Sequence, residues 1–183
     1  VYSDQELIDG CRKQSLRHQE ALYKQYYAFA MSVCLRYTYS RDDALEVLND
    51  SFMKVFRHID RYDSDRPFKT WFRRILINSS LDHYRVNRKY RDNTVLEAVP
   101  LDESTGIPDD HILKLDASDI LLLFNELPDV HRVIFNLFEV EGYSHDEIAG
   151  MLDIAPGTSR SHLSRAKKTL ATLYEQRIAG RRS

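Results

Sequence analysis

One stretch constrains this chain more than any other: Phe68–Arg91, FKTWFRRILINSSLDHYRVNRKYR. Phe68, Phe72, Ile75, Leu76 and Ser79 recur at three- and four-residue intervals, which predicts a long amphipathic helix with that side against a core. Rotated away from it runs a second stripe, Trp71, Arg74, Asn78 and Arg85. A helix that only has to be soluble has no use for an aromatic ring, an amide and two guanidiniums in line. From Arg66 to Arg91 there are eight Lys/Arg against a single acid, Asp82. Basic groups grip phosphates and aromatic faces stack on unpaired bases, so the stripe fits single-stranded nucleic acid or a duplex being opened. The plainer alternative is a solvated face with a half-buried Trp at a domain edge.

Charge is segregated along the chain although its net value is only −2. Val1–Arg91 carries 17 basic and 12 acidic residues. Asp92–Glu126 carries one basic residue, Lys114, and nine acids. Ile154–Ser183 returns to seven basic residues against Glu175. Two basic regions therefore flank an acidic middle, a pattern that suits a polyanionic partner and that the overall pI of about 6.4 conceals. Cys11 and Cys34 are too few for a disulfide framework and fit a reducing compartment, the cytoplasm. The histidines show no spacing shared with Cys that would make a zinc site, so no metal or cofactor is expected. No apolar run reaches membrane-spanning length and no signal peptide is visible, so no direct membrane insertion is expected.

The periodicity predicts an all-α chain. Ser3 and Glu6 form a capping box opening a short helix to Cys11, with Leu7, Ile8 and Cys11 inward. A second, aromatic-rich helix is expected over Leu16–Tyr39. Ser40–Asp42 breaks it and caps a third, Asp43–Ile59, with Leu45, Leu48, Phe52, Val55, Phe56 and Ile59 on the core face. Its other sides carry Glu46, Val47, Asn49, Asp50, Met53, Lys54 and Arg57; an exposed Val and Met beside acids fit a protein-binding surface or scattered surface apolars. Asp60–Pro67, DRYDSDRP, reads as a loop feeding the Phe68 helix. Asn93–Pro108 reads as an acidic linker, followed by a short helix at Asp110–Leu115. Domain boundaries are therefore expected at 1–91, 92–115 and 116–183.

In the last part, a helix from Ile120 ends at Pro128, and Asp129–Val140 follows with Val130, Val133, Ile134, Leu137 and Phe138 inward. Ser144 and Glu147 make a second capping box opening Ser144–Leu152. Asp153-Ile154-Ala155 is a three-residue turn, and Pro156 suits the first position of a helix to about Gln176. Helix, three-residue turn, helix is the helix-turn-helix pattern, whose second helix enters the DNA major groove. Ile148, Ala149, Leu152, Ile154, Leu163, Ala166 and Leu170 are inward; Arg160, Ser161, Ser164, Arg165 and Lys168 are outward. Arg165 could read guanine or clamp phosphate. Gly157 and Thr158 at the helix start suit a backbone phosphate. A helical hairpin with a basic face is the plainer alternative.

In order, these segments resemble a bacterial RNA polymerase sigma factor of the extracytoplasmic-function (ECF) type. Asp42-Asp43-Ala44-x-x-Val47-Leu48-Asn49-Asp50-Ser51-Phe52 is similar to the family's D-A-x-D-L-x-Q-E-x-F helix, with Asn for Gln and Asp for Glu. Phe68-x-x-Trp71-Phe72-x-x-Ile75-x-x-Asn78, then Leu81-Asp82-x-x-Arg85, resembles its F-x-x-W-L-x-x-I-x-x-N…L-D-x-x-R segment. Leu127-Pro128 through Tyr143-Ser144-x-x-Glu147-Ile148-Ala149, Gly157-Thr158 and Leu163-Ser164-Arg165-Ala166 resembles the family's L-P…G-x-S-x-x-E-I-A…G-T-x-x-S-x-L-x-R-A segment. The resemblance implies a σ2-like helical bundle and a σ4-like helix-turn-helix domain joined by the acidic linker. It implies docking on RNA polymerase core (the β′ coiled coil, with β) through Glu46, Asn49, Asp50, Met53 and Arg57. It implies binding and opening of the promoter −10 element by Arg61, Tyr62, Asp63, Phe68, Trp71, Arg74, Asn78, Arg85 and Arg88. The −35 element would be bound as duplex by Gly157, Thr158, Arg160, Ser161, Ser164, Arg165 and Lys168. It further implies an anti-sigma factor as a regulator, and a linker whose charge mimics nucleic acid inside the polymerase.

The chain departs from the family at Asp153, where a turn Gly is common, and at Ala155, where Ser often caps. Ser159 and His162 stand for a usual inward apolar residue and an outward Arg. No nucleophile–base pair, metal cluster or phosphate-cradling Gly loop points to an enzyme. The other readings are a stand-alone helix-turn-helix transcriptional regulator, which leaves the Trp71–Arg85 stripe without a task, and a helical protein whose basic faces dock on an acidic regulator.

Overall fold

In the computed structural model the described residues are 2–91 and 122–181, with side chains described at 2–87 and 122–177. The linker expected at 92–115 and the helix expected at Asp110–Leu115 fall outside them. All regular elements among the described residues are helical. The chain divides into two compact units, Val1–Asn93 and Thr94–Ser183.

The first unit opens with α1, Asp4–Arg12. The Ser3 Oγ accepts from the Glu6 amide, and the Glu6 carboxylate accepts from the Ser3 amide at 2.8 Å, so two of the donors a helix start leaves unpaired are satisfied reciprocally. Gln14 takes a left-handed φ of 56° in the turn to α2, Leu16–Cys34. Helix α2 stops at Cys34, short of the expected Tyr39. There Thr38 Oγ1 donates to the Cys34 carbonyl at 3.1 Å, while Ser40 Oγ accepts from the Asp43 amide at 3.0 Å and starts α3, Arg41–His58. Local side-chain bonds thus end one helix and start the next. A 3-10 turn, Ile59–Arg61, leads through the loop to α4, Phe68–Arg91.

Helices α2, α3 and α4 pack on one another, and α1 closes the end of the bundle against α2. The core holds Leu22, Leu48, Phe52, Phe68, Phe72, Leu76 and Leu81. Phe52 and Phe72 have ring centroids 4.8 Å apart, Tyr26 meets Phe68 edge-on at 4.9 Å, and Phe68 stacks on Phe72 at 5.7 Å. Each such ring contributes about 1.5–3 kcal/mol through burial alone. Because α3 and α4 each touch more than one helix, their buried faces exceed one stripe. Val47, expected outside, is 2% exposed, and Ile77 is buried while Ile75, expected in the core, is half-buried. Ser51 and Ser80, also interior, donate to the carbonyls four residues back, Val47 and Leu76. Cys11 and Cys34 are free and buried, and burial raises their thiols to about 11 and about 12.

In the second unit residues 122–125 are helical, and Pro128 precedes α5, Asp129–Phe135. The helix expected over 129–140 is α-helical only to Phe135; Asn136–Val140 is π-helical. The Asn136 side chain donates to the Arg132 carbonyl at 2.9 Å, and from there the ladder is displaced by one residue, with the Glu141 amide on the Asn136 carbonyl at 2.9 Å. Gly142, at φ 77°, ends the segment where a side chain would be strained. Helix α6, His145–Leu152, carries the expected Ser144–Glu147 capping box, and α7 runs Pro156–Arg181. Asp153 between them takes the left-handed conformation, φ 54°. Leu123, Phe124, Leu127, Val133, Ile134, Leu137, Ile148, Leu152, Leu163 and Ala166 form this unit's core. Arg132 lies inside it at 1% exposure, donating from Nη1 to Asn125 Oδ1 at 3.0 Å with Asp129 3.7 Å from Nη2.

Gly10 on α1 lies directly against the His18 ring: a Cβ there would sit 2.1 Å from Cγ and 2.6 Å from Cβ of His18. These atoms are close to the α2 backbone and cannot swing away. Gly10→Ala should therefore lower stability by about 1–3 kcal/mol, read as a lower unfolding midpoint in urea.

Candidate nucleic-acid and partner interfaces

Helix α4 presents two faces because its aromatic side is consumed by the core. Trp71 is half-buried, and Arg74, Asn78 and Arg85 are exposed along the opposite side. Trp71 is held by its neighbours, with the Tyr62 ring 5.3 Å and the Phe68 ring 5.8 Å away. Two residues expected to meet nucleic acid take other roles. Phe68 is 2% exposed and forms the floor under Trp71; its ring is committed to Tyr26 and Phe72 and offers no face to a base. Tyr62 is 6% exposed, and its hydroxyl donates to the Arg66 carbonyl, closing the loop on itself. Arg61 and Asp63 are exposed in this loop. Asp63 Oδ1 accepts from the Asp65 amide at 3.1 Å, an Asx-type closure, and Arg66 lies 3.7 Å from its other oxygen. Arg85 Nη1 is 2.8 Å from Asp82 Oδ1, so its charge is partly shared. Arg88 lies on α4, its side chain outside the described residues.

On α3 the exposed set is Glu46, Asn49, Asp50, Met53 and Arg57, with Met53 58% exposed. Their orientation is fixed by bonds the sequence does not advertise. The Tyr23 hydroxyl donates to Asn49 Oδ1 at 3.1 Å, and Lys54 lies 2.8 Å from Asp50. Lys54 also donates to Ser79 Oγ at 2.9 Å and reaches Asp82 at 3.4 Å, joining α3 to α4. Burial alone would lower the Lys54 ammonium; Asp50 and Asp82 outweigh it and raise its pKa. Asp43, Glu46 and His83 bring ligand-type atoms within 4.8 Å of one another, and His83 Nε2 is 3.9 Å from Asp43. Spacing along the chain gave no sign of this group, because its members come from two helices. Its geometry sets the His83 ring of α4 beside two carboxylates of α3.

In the second unit, Arg160, Ser164 and Lys168 are exposed one turn apart on α7, with Ser161 and Arg165 partly covered beside them. Gly157 and Thr158 are half-buried at the start of α7. His162, standing where an outward Arg is usual, points inward: it is buried, with its ring 5.1 Å from that of His131 on α5. Ser159 is fully buried and its Oγ lies 2.9 Å from His145 Nδ1, replacing an apolar contact between α6 and α7 with a polar one. Lys167 pairs with Glu139 at 2.6 Å and is therefore turned towards the π-helical segment. Among the described residues, no helix is long and apolar enough to cross a membrane.

Residues 22–90 match the family model of sigma-70 region 2, and residues 117–170 match that of sigma-70 region 4. The chain is an ECF-type member of the sigma-70 family. It is 27% identical over 177 residues to the ECF RNA polymerase sigma-E factor of Escherichia coli (strain K12), covering 92% of each chain. It is 25% identical over 179 residues to the RNA polymerase sigma-H factor of Pseudomonas aeruginosa, covering 91% of each. Two solved structures share the fold of this sigma factor. One is CnrH in complex with the cytosolic domain of CnrY, at TM-score 0.50 and 21% identity, with 94% of this chain and 97% of that one covered. The other is the sigma factor RpoE in complex with the anti-sigma factor NepR from Bartonella quintana, at TM-score 0.52 and 22% identity, with 85% and 96% covered.

The α5–α7 histidine contact places a buried imidazole in the second unit of this sigma factor. Burial, then the charges of His162 and Arg165, lowers the His131 imidazole to about 4. A depressed pKa of this kind contributes stability that is complete above the unfolded value of about 6.5 and is lost as pH falls towards 4. Amide hydrogen-exchange protection across residues 129–177, corrected for the intrinsic effect of pH, should fall between pH 6.5 and 4.5, and His131→Phe should flatten that fall.

Proposed function

We propose a division of promoter work between the two units of this sigma factor, which directs RNA polymerase core to specific promoters and assists opening at initiation. The first unit, 1–91, docks on core through Glu46, Asn49, Asp50, Met53 and Arg57 and engages the −10 element. Trp71, Arg74, Asn78, Arg85 and Arg88 contact the non-template strand, with Arg61 and Asp63 beside them on the loop; Phe68 and Tyr62 support Trp71 from beneath. The second unit, 116–183, holds the −35 element as duplex through Gly157, Thr158, Arg160, Ser161, Ser164, Arg165 and Lys168. Residues 92–115 are the acidic connection. What supports this reading is the α4 stripe: a braced Trp in line with exposed Arg and Asn, on a helix whose other face is core. Aromatic faces of this kind hold unstacked bases, and guanidiniums hold the backbone that leads to them.

The protein has no reaction of its own; polymerase supplies the chemistry, and no metal or cofactor is called for. Its place of action is the cytoplasm, with the polymerase. Of the two solved structures that share the fold, one holds CnrH with the cytosolic domain of CnrY and the other holds RpoE with the anti-sigma factor NepR; an anti-sigma factor that covers the α3 and α4 faces would hold this chain inactive. A stand-alone helix-turn-helix regulator is not favoured, since it uses only α6 and α7.

The reading is tested by co-elution with core polymerase, followed by promoter opening reported by a fluorescent base in the −10 element. Trp71→Ala should leave core affinity intact and reduce opening by about tenfold or more, since one base–aromatic stack contributes ~1–3 kcal/mol. Equal loss of core binding and opening would remove Trp71 from the melting step. Arg165→Ala should weaken binding to a −35 duplex by about tenfold without changing −10 opening on a pre-melted template. Unchanged −35 affinity would exclude that residue.

A further inference from the structure

The loop between α3 and α4 is tied to a helix that carries none of the contacts proposed above. Arg12, in the last turn of α1, donates from Nη2 to the Tyr62 carbonyl at 3.0 Å, fifty residues along the chain. Its Nη1 is 3.2 Å from Asp9 Oδ1 one turn earlier, so the guanidinium is aimed by a carboxylate on its own helix. Arg12 therefore holds the first loop residue by its backbone, independently of that residue's side chain. Beyond Tyr62 the loop closes on itself. Tyr62 donates to the Arg66 carbonyl, the Arg66 amide donates to the Asp63 carbonyl at 3.2 Å, and Asp63 caps the Asp65 amide. A self-closed loop has a fixed shape but still needs a fixed attachment, and Arg12 supplies one.

The other end of α1 reaches the same place by a second route. Asp4 accepts from the Tyr26 hydroxyl at 2.6 Å and from the Gln25 amide at 2.7 Å. Tyr26 packs edge-on against Phe68, which lies under both Tyr62 and Trp71. Both ends of α1 thus converge on the loop and the Trp71 base platform.

We infer that Arg12 is a positioning residue for promoter discrimination: through the Tyr62 carbonyl it fixes where the exposed loop residues Arg61 and Asp63 stand relative to Trp71. The inference rests on the −10 reading above. A loop whose anchor is lost can still admit a base but samples several placements, so it loses selectivity before it loses binding.

The test uses the full chain assembled with core polymerase and a set of promoters differing singly within the −10 element, opening being read by the fluorescent base. Arg12→Ala should keep core affinity within about twofold. The ratio of opening rates between the best and the poorer −10 variants should shrink by about tenfold, the worth of one charge-assisted hydrogen bond. Arg12→Lys, which can still donate to the carbonyl, should restore part of the ratio. Amide hydrogen exchange in residues 60–67 should quicken in Arg12→Ala and not elsewhere in the first unit. Unchanged discrimination would overturn the proposal. So would a uniform loss of core affinity and of opening on every promoter, which marks a merely structural role. If exchange in the loop matches the parent, the tether itself fails. If Trp71→Ala opens all promoters like the parent, it is the −10 reading beneath the proposal that fails.

Discussion

Everything in the first unit depends on where the rings of Phe68 and Phe72 go. They enter the space between α2 and α3 and meet Tyr26 and Phe52 there. Once those two rings are buried, the pitch of an α-helix leaves no choice about Trp71, Arg74 and Asn78, which come out on the other side. The exposed stripe is thus the geometric remainder of core packing. The same packing sets the depth of Trp71. Its ring is braced by Tyr62 and Phe68 yet not swallowed by them, so one face is supported and the ring remains partly open to solvent.

The second unit is built on a different balance. Its interior contains Arg132, Asn136, Ser159 and His162 among the apolar side chains. Polar groups in a low-dielectric interior cost free energy unless bonded, and here the bonds run between elements: Arg132 to Asn125, Asn136 to the Arg132 carbonyl, Ser159 beside His145. Of these, the Ser159–His145 contact favours one arrangement of α6 and α7 over near alternatives. In helix-turn-helix domains generally, such a fixed arrangement lets the outward residues of the second helix meet a groove as a set.

Much of this was legible in the chain itself. The helices, both capping boxes, the left-handed Asp153 and the two faces of α4 follow from local rules whose causes lie within a few residues. What escaped has non-local causes. Val47 turned inward because α3 is sandwiched, which no single-helix pattern reveals. His162 is turned inward against His131, which lies on another helix. The π-helical turn at Asn136 is the local exception: its side-chain amide reaches the Arg132 carbonyl four residues back, a bond that periodicity does not show. Phe68 and Tyr62 fall within the resemblance, and a motif marks positions without separating those that touch from those that support; burial separates them. The tie from Arg12 to a backbone carbonyl fifty residues away leaves no trace in composition or periodicity.

The two cysteines carry a consequence for how this protein can be addressed. An oxidant attacks sulfur as the thiolate, and burial holds Cys11 and Cys34 in the protonated form, near 11 and 12. At neutral pH only about one Cys11 in ten thousand is ionised at any moment, and fewer of Cys34. Disulfide reagents therefore meet two thiols that are almost wholly protonated. As thiols, Cys11 and Cys34 are poor receivers of an oxidative signal; among the described residues of the first unit the sulfur that solvent reaches is the thioether of Met53.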